Sequence, residues 1–592
     1  MTDKTDGIQE DDRVKKRNRF VPVLAVAGLI VIVMLITAAA RFIERYVPSK
    51  EVEDMNAYYG LSSEQDMAMV LDDTLLETLC EYVDGEVYVD YNTVHEYFNE
   101  RFYWDSAENV LLYTLPDTLV TVQAGSKDYQ VGKEANSESY TIVRVDGDTM
   151  YLALDFIEKY TNLTHKVFES PNRVVLTSVW GEVDSTTVKK STQLRLKGGI
   201  KSPILKELEK GEALTVLKKD EIWTKVATED GIIGYLKTKF MDKVGSTKRS
   251  HDFEEPVFTH NLKEQTIEMA WHQVTSQDAN TTIADVLKNT KGINVISPTW
   301  FYLNDNNGGI ASLASKDYVN YCHQNNIEVW ALVSNLENKE VDTTAVMNRT
   351  STRQTLVNQL VSAAIEYDLD GINVDMEALD ATAGDGYLQF IRELSLKCAK
   401  NEIVLSVDNY VPTEFSAFYN RKEQSNFADY IVIMAYDEHY VGSDEGSVAS
   451  IGFVTDGVTN TLKEVPAEQT ILACPFYTRI WAETPKDEVG DSAESASEDY
   501  VPYELSSEAV GMDTVTKRLE LNGATASWSE ADGQNYAEYV NDGVTYKVWI
   551  EDATSLEKKL QVMKSNKLAG ASFWKLGFET DSIWDTIIKY TN

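Results

Sequence analysis

Apolar residues in the second half of the chain fall into short runs separated mostly by helix-length pieces. The runs lie at 267–270, 293–297, 329–333, 371–376, 403–407, 430–434, 470–475 and 569–574, which makes eight. Eight strands alternating with helices predict a closed parallel barrel of the (β/α)8 type, an α/β fold. The fourth run carries more than core residues. Residues 368–377 read Asp-Leu-Asp-Gly-Ile-Asn-Val-Asp-Met-Glu, in which Ile372, Val374 and Met376 alternate with Asn373, Asp375 and Glu377. Side chains two apart in a strand share a face, so three polar groups project to one side. The apolar-periodic stretch 356–365 before them reads as a helix, and Leu369-Asp370-Gly371 as a short connection into a strand buried on both faces. Carboxylates at the C-terminal end of such a strand lie where α/β barrels carry their chemistry. Acidic strand ends also bind Mg²⁺, but metal-binding barrels draw ligands from several strands rather than one.

The spacing Asp-Gly-x-x-x-Asp-x-Glu, formed by Asp370, Gly371, Asp375 and Glu377, resembles the signature of family 18 glycoside hydrolases, the chitinase-like enzymes. Asn373 stands where most members carry another Asp. Met434-Ala435-Tyr436-Asp437 resembles the family's Met-x-Tyr-Asp, and Gly570-Ala571-Ser572-Phe573-Trp574 its eighth strand. The resemblance covers roughly residues 255–592. It is nearest to the bacterial spore-cortex and cell-wall glucosaminidases, which often read Gly-Val-Asn-Ile-Asp-Phe-Glu.

It implies retaining cleavage beside an N-acetylated sugar whose own 2-acetamido oxygen is the nucleophile, an exception to the two-carboxylate scheme. Glu377 is then the general acid and later the base. Asp375 holds the acetamido N–H and stabilises the oxazolinium, and Tyr436 bonds the acetamido oxygen. Asp437 contacts the sugar and Trp574 forms the apolar floor, while Asp370 and Asn373 are counted with the substrate-binding residues. The Asn373 amide is expected to donate to Asp375 and favour its ionised form. The long gap after the seventh run holds an acidic, Ser-rich stretch at 488–499 and strand-like pieces at 526–532 and 546–552. It resembles the family's small α+β insertion, at about 480–548.

The first half of the chain says where such a barrel works. No charge interrupts residues 20–40, and Lys15, Lys16, Arg17 and Arg19 precede them, which predicts one membrane-spanning helix. The tail 1–19 is then cytoplasmic and the remainder outside, while Thr37-Ala-Ala-Ala keeps a cleaved signal peptide open as an alternative. Residues 41–84 read as a stalk or linker. Residues 85–187 resemble the α+β stalk module found at the N-terminus of some copper amine oxidases, with no copper implied. Residues 188–245 resemble a bacterial SH3 barrel, either binding wall peptides or serving as a spacer whose Trp223 and Tyr235 fill its core.

The net charge of −40 excludes electrostatic attraction to nucleic acid or anionic lipid and leaves uncharged glycan acceptable. Cys80, Cys322, Cys398 and Cys474 are dispersed and no His is ligand-spaced, so no metal, cofactor or disulfide framework is expected. The expectation is a membrane-anchored extracytoplasmic TIM-barrel glycosidase acting on N-acetylglucosamine-containing glycan, peptidoglycan first and chitin second. The rival class is a lectin-like wall scaffold; the presence of Glu377 with Asp375 and Tyr436 favours the enzyme.

Overall fold

The computed structural model describes residues 21–486 and 503–591. The basic segment with Lys15, Lys16, Arg17 and Arg19, and the acidic stretch 488–499, lie outside the described residues. The apolar segment is helical: α1 (Val21–Tyr46) runs for 26 residues. At about 1.5 Å per residue it exceeds the roughly 30 Å hydrocarbon core of a bilayer. Among the described residues it is the one helix long and apolar enough to cross a membrane.

The remainder packs as two compact units, residues up to 99 with 144–255, and residues 100–143 with 256–592. In the first, a mixed sheet of seven strands places Asp66–Leu71 between Arg173–Thr177 and Thr74–Val83. A second seven-stranded sheet, antiparallel throughout, is drawn from Gly181–Thr187 to Gly245–Arg249. Val188, Leu194, Leu205, Val226 and Leu236 are buried in its core, while Trp223 and Tyr235 are half-buried.

In the second unit the eight apolar runs form a closed parallel barrel, so that expectation holds. Its strands are β1 (Ile267–His272), β2 (Val295–Leu303), β3 (Glu328–Ser334), β4 (Gly371–Asp375), β5 (Val404–Tyr410), β6 (Tyr430–Met434), β7 (Thr470–Pro475) and β8 (Gly570–Trp574). Each pairs with the next, and β8 returns to β1. Two apolar layers make such strands continuous hydrophobic runs. Met269, Trp271, Trp330, Leu332, Val404 and Val432 fill the interior, while Ile372 and Val374 pack outward against Leu356, Leu360, Phe390 and Leu394. Gly371 is required at the foot of β4, where a Cβ would stand 2.6 Å from the Trp330 ring. The Trp330 ring therefore closes the barrel floor under the strand that carries Asp375. After β7 a five-stranded antiparallel sheet and one helix (Met512–Leu521) form a small α+β insertion.

Residues 85–187, expected as one module, are divided between the units. A five-stranded antiparallel sheet from Phe102–Asp105 to Glu134–Ser137 packs with the barrel. It meets α2 (Thr350–Tyr367), α3 (Gly384–Lys400) and α4 (Arg421–Phe427) through buried charge. Asp105 Oδ2 accepts from the Thr350 N–H at 2.6 Å and caps α2, where Arg349 offers no side-chain cap. Arg353, fully buried, donates to Tyr103 Oη and Glu393 Oε1. Glu423 accepts from Arg101 at 2.7 and 3.0 Å and from Arg392 at 2.9 Å. Burial alone raises Glu423, yet the two guanidinium groups hold it below its ordinary value. Breaking a buried ion pair from one side leaves uncompensated charge. Glu423→Ala is therefore expected to destabilise this unit by about 3–5 kcal/mol, read from the urea midpoint. A loss under about 1 kcal/mol, the worth of a surface pair, contradicts that packing.

Candidate active site

The pleat of β4 aims Asn373 and Asp375 into the barrel beside the interior residues of its neighbours. Its register against β3 pairs Leu332 with Asn373 and Ser334 with Asp375, and against β5 pairs Asn373 with Ser406. Beyond the strand, Met376 and Glu377 continue to the C-terminal mouth, where other strands clamp them. Glu377 donates its backbone N–H to Asn335 Oδ1 and accepts from Asn335 Nδ2, both at 2.9 Å. The Tyr419 hydroxyl donates to Met376 O at 3.0 Å. Ala378 then takes φ +50°, a left-handed backbone that turns the chain directly after the acid.

The carboxyl of Glu377 accepts from the Tyr410 hydroxyl at 2.9 Å. Burial raises its pKa above the ordinary glutamate value, the Tyr410 bond lowers it, and the charges of Asp437 and Glu337 raise it again. Asp375 is half-buried as a residue, but its Oδ1 is buried without a donor. Its pKa stands well above the usual range, from burial first and then from the charges of Asp408, Glu377 and Glu337. Tyr436, half-buried past β6, meets Tyr477 edge-on at 6.2 Å. The Tyr477 hydroxyl donates to Asp437, and Arg479 lies 3.9 Å from that carboxylate. Trp574 at the end of β8 packs edge-on against Trp271 at 5.8 Å.

Asp375, Glu377, Tyr436, Asp437 and Trp574 thus meet at the mouth; two of the expected substrate-binding residues do not. Asp370 sits at the opposite end of β4, where it accepts from the Val329 N–H and contacts His323 Nε2, both at 2.8 Å. Its carboxylate fixes the entry into the strand and lies too far from the mouth to bind sugar. Asn373 is fully buried beneath Asp375. Its Oδ1 accepts from Trp271 Nε1 and the Ser297 hydroxyl, and its Nδ2 donates to Ser406 Oγ and to Asp408 Oδ1 at 2.7 Å. No donor remains for Asp375, so the expected Asn373–Asp375 bond is replaced by one to Asp408. Asp408, Tyr410, Asn335, Tyr477 and Arg479 escaped the sequence reading. The period-two rule applied to 402–410 would have found Ser406, Asp408 and Tyr410 on one face.

A carboxylic acid with raised pKa at the mouth of a (β/α)8 barrel, beside tyrosines and a tryptophan floor, has the make-up of an acid–base glycosidase site. The profile of the glycosyl hydrolases family 18 matches residues 269–579, more than half of the chain, and the protein belongs to that family. It is a glycoside hydrolase. The copper amine oxidase N-terminal domain matches residues 76–176. Among curated proteins, the uncharacterized glycosylase YvbX of Bacillus subtilis (strain 168) is 26% identical over 302 residues, 48% of this chain and 82% of that protein. The cortical fragment-lytic enzyme of the same organism is 23% identical over 272 residues, 44% of this chain and 59% of that protein. The solved spore cortex-lytic enzyme SleL of Bacillus megaterium QM B1551 shares 18% identity at a TM-score of 0.47, over 57% of this chain and 77% of that one.

The Tyr410–Glu377 bond has a directional consequence. It favours the ionised acid, so Tyr410→Phe lifts the pKa of Glu377 further. A general acid must hold its proton, and activity falls as pH rises through its pKa. The alkaline limb of kcat/KM is therefore expected to move up by about one unit, roughly the worth of one hydrogen bond to a charged group. A limb that stays or moves down contradicts Glu377 as the acid.

Proposed function

We propose that the protein is a membrane-anchored, extracytoplasmic hydrolase that cleaves peptidoglycan beside an N-acetylated sugar, with retention and with the substrate's acetamido oxygen as nucleophile. Glu377 protonates the leaving oxygen and then activates water. Asp375 holds the acetamido N–H and balances the oxazolinium charge, Tyr436 donates to the acetamido oxygen, Asp437 contacts the sugar, and Trp574 lies under the ring. The observation that carries this reading is the placement of Glu377 and Asp375 on one strand end. The first is clamped at the mouth by Asn335 and Tyr410, and the second is sunk half into the barrel. An acid near fixed negative charge keeps its proton toward neutral pH.

Peptidoglycan is favoured over chitin by the cortical fragment-lytic relatives and by the apolar helix α1. Residues 188–245 are read as an SH3-like module that contacts wall peptide. Purified peptidoglycan and chito-oligosaccharides, digested in parallel and analysed by mass spectrometry for new reducing ends, distinguish the two. New N-acetylglucosamine ends from peptidoglycan support the proposal; products from chito-oligosaccharides alone make the enzyme a chitinase.

Glu377→Gln is nearly isosteric but cannot deliver a proton, so it is expected to lower kcat by about 10²–10⁴-fold with the fold intact. Retention of activity within about threefold on a substrate with a poor leaving group sinks the assignment. The basic flank before Phe20 favours a cytoplasmic N-terminus. Protease added to intact, wall-stripped cells is expected to release a fragment carrying Glu377 while the tail bearing Lys15 stays protected. Protection of the barrel reverses the orientation and removes a wall substrate.

A further inference from the structure

The floor of the site holds two carboxyl oxygens that lack donors. Asp375 Oδ1 and Asp408 Oδ2 are both buried and unpartnered. Their residues lie on adjacent strands: β4 and β5 are in register from Gly371↔Val404 to Val374↔Val407, and Asp375 and Asp408 come one step later, on the interior face. A buried acceptor without a donor is costly, and two buried like charges side by side disfavour double ionisation. A single proton resolves both problems, since it makes one carboxyl the donor its neighbour lacks.

The remaining surroundings point the same way. Asn373 Nδ2 binds Asp408 Oδ1 at 2.7 Å and leaves Oδ2 as the free oxygen. The charges acting on Asp375 are the carboxylates of Asp408, of Glu377 beyond β4 and of Glu337 in the loop after β3. Tyr387 from α3 and Tyr436 from the segment past β6 face both carboxyls, and Tyr419 from the segment after β5 faces Asp375, all as un-ionised phenols. Glu337 is itself held by the Ser334 hydroxyl.

We infer that Asp375 and Asp408 share one proton as a pair anchored by Asn373, and that Asp408 is a positioning residue that takes this proton when Asp375 meets the cyclising acetamido group. At rest the proton bridges the two carboxyls. As the acetamido oxygen closes on the anomeric carbon and the glycosidic C–O bond breaks, the proton passes wholly to Asp408 Oδ2. Asp375 then carries the full negative charge against the oxazolinium N–H. On hydrolysis of the oxazolinium the proton returns, so the pair ends each turnover as it began. The step rests on the proposed role of Asp375, but the shared proton does not.

Infrared spectroscopy of the full chain in detergent reads the C=O stretch of a protonated buried carboxyl. At pH 7 the wild type is expected to show one such component that Asp408→Asn and Asp375→Asn each remove, because the surviving carboxylate gains an amide donor and ionises. Glu377, whose pKa is also raised, contributes a component of its own, so all three proteins are compared in a Glu377→Gln background; Glu268, raised by burial to about 7, contributes a component that neither substitution touches. A component removed by only one substitution, or by neither, overturns the shared proton.

In kinetics, Asp408→Asn is expected to lower kcat tenfold or more, the equivalent of about one pK unit, with KM nearly unchanged and no fall in Tm. The introduced amide keeps Asp375 charged and held down throughout the cycle. A lowered Tm with unchanged kcat makes Asp408 structural only and overturns its role in positioning. A thiazoline mimic of the cyclised sugar separates the two claims. If it fails to inhibit while both substitutions remove the component, substrate assistance is wrong and the shared proton stands. If it inhibits while only one substitution acts, the shared proton is wrong and substrate assistance stands.

Discussion

The barrel is tied together by one side chain. The amide of Asn373 on β4 accepts from Trp271 on β1 and Ser297 on β2 and donates to Ser406 and Asp408 on β5, so four strands meet at a group with no exposure to solvent. Each such bond contributes about 1 kcal/mol net, but leaving any of these groups unpaired costs about 1–3 kcal/mol. The site depends on this layer. It fixes Asp408 in one orientation, supports Asp375 from below, and holds Trp271 where it packs against Trp574.

Above the layer, the chemistry follows from unequal access to water. Asp375 keeps one oxygen buried, Glu377 is clamped at the rim through backbone and side chain, and Asp437 opens to the cleft with its side chain 51% exposed. Burial and neighbouring carboxylates raise the first two above their ordinary values, while the Tyr410 hydroxyl restrains Glu377 from rising further. The acid is therefore poised by opposed influences, each traceable to a named residue.

Periodicity revealed the barrel because strands buried on both faces must be apolar throughout, and all eight runs became strands. The alternation at 372–377 likewise foretold which face carries Asp375 and Glu377. Asp370 precedes the strand and shares the outward parity of Ile372 and Val374, so the same rule set it apart from Asn373 and Asp375; only the resemblance counted it with the sugar-binding residues, and it bonds Val329 and His323 at the far end. The rule could not assign partners to a buried amide. Asn373 had several polar neighbours within reach on three other strands, and only the closed barrel selects Asp408 over Asp375. The sheet within 100–143 was hidden for a different reason. Its anchors Arg101, Tyr103 and Asp105 are matched by Glu423, Arg353 and the start of α2, more than two hundred residues away.

The central claim is that Asp375 and Glu377 serve a nucleophile belonging to the substrate. The anomeric configuration of the first-formed sugar is its most direct test, because a nucleophile on the substrate requires retention. Proton NMR recorded during early turnover of a β-linked N-acetylglucosamine oligosaccharide is predicted to show the β-anomer of the new reducing end first, with mutarotation to α following. First appearance of the α-anomer shows direct attack by water across the ring and contradicts the account.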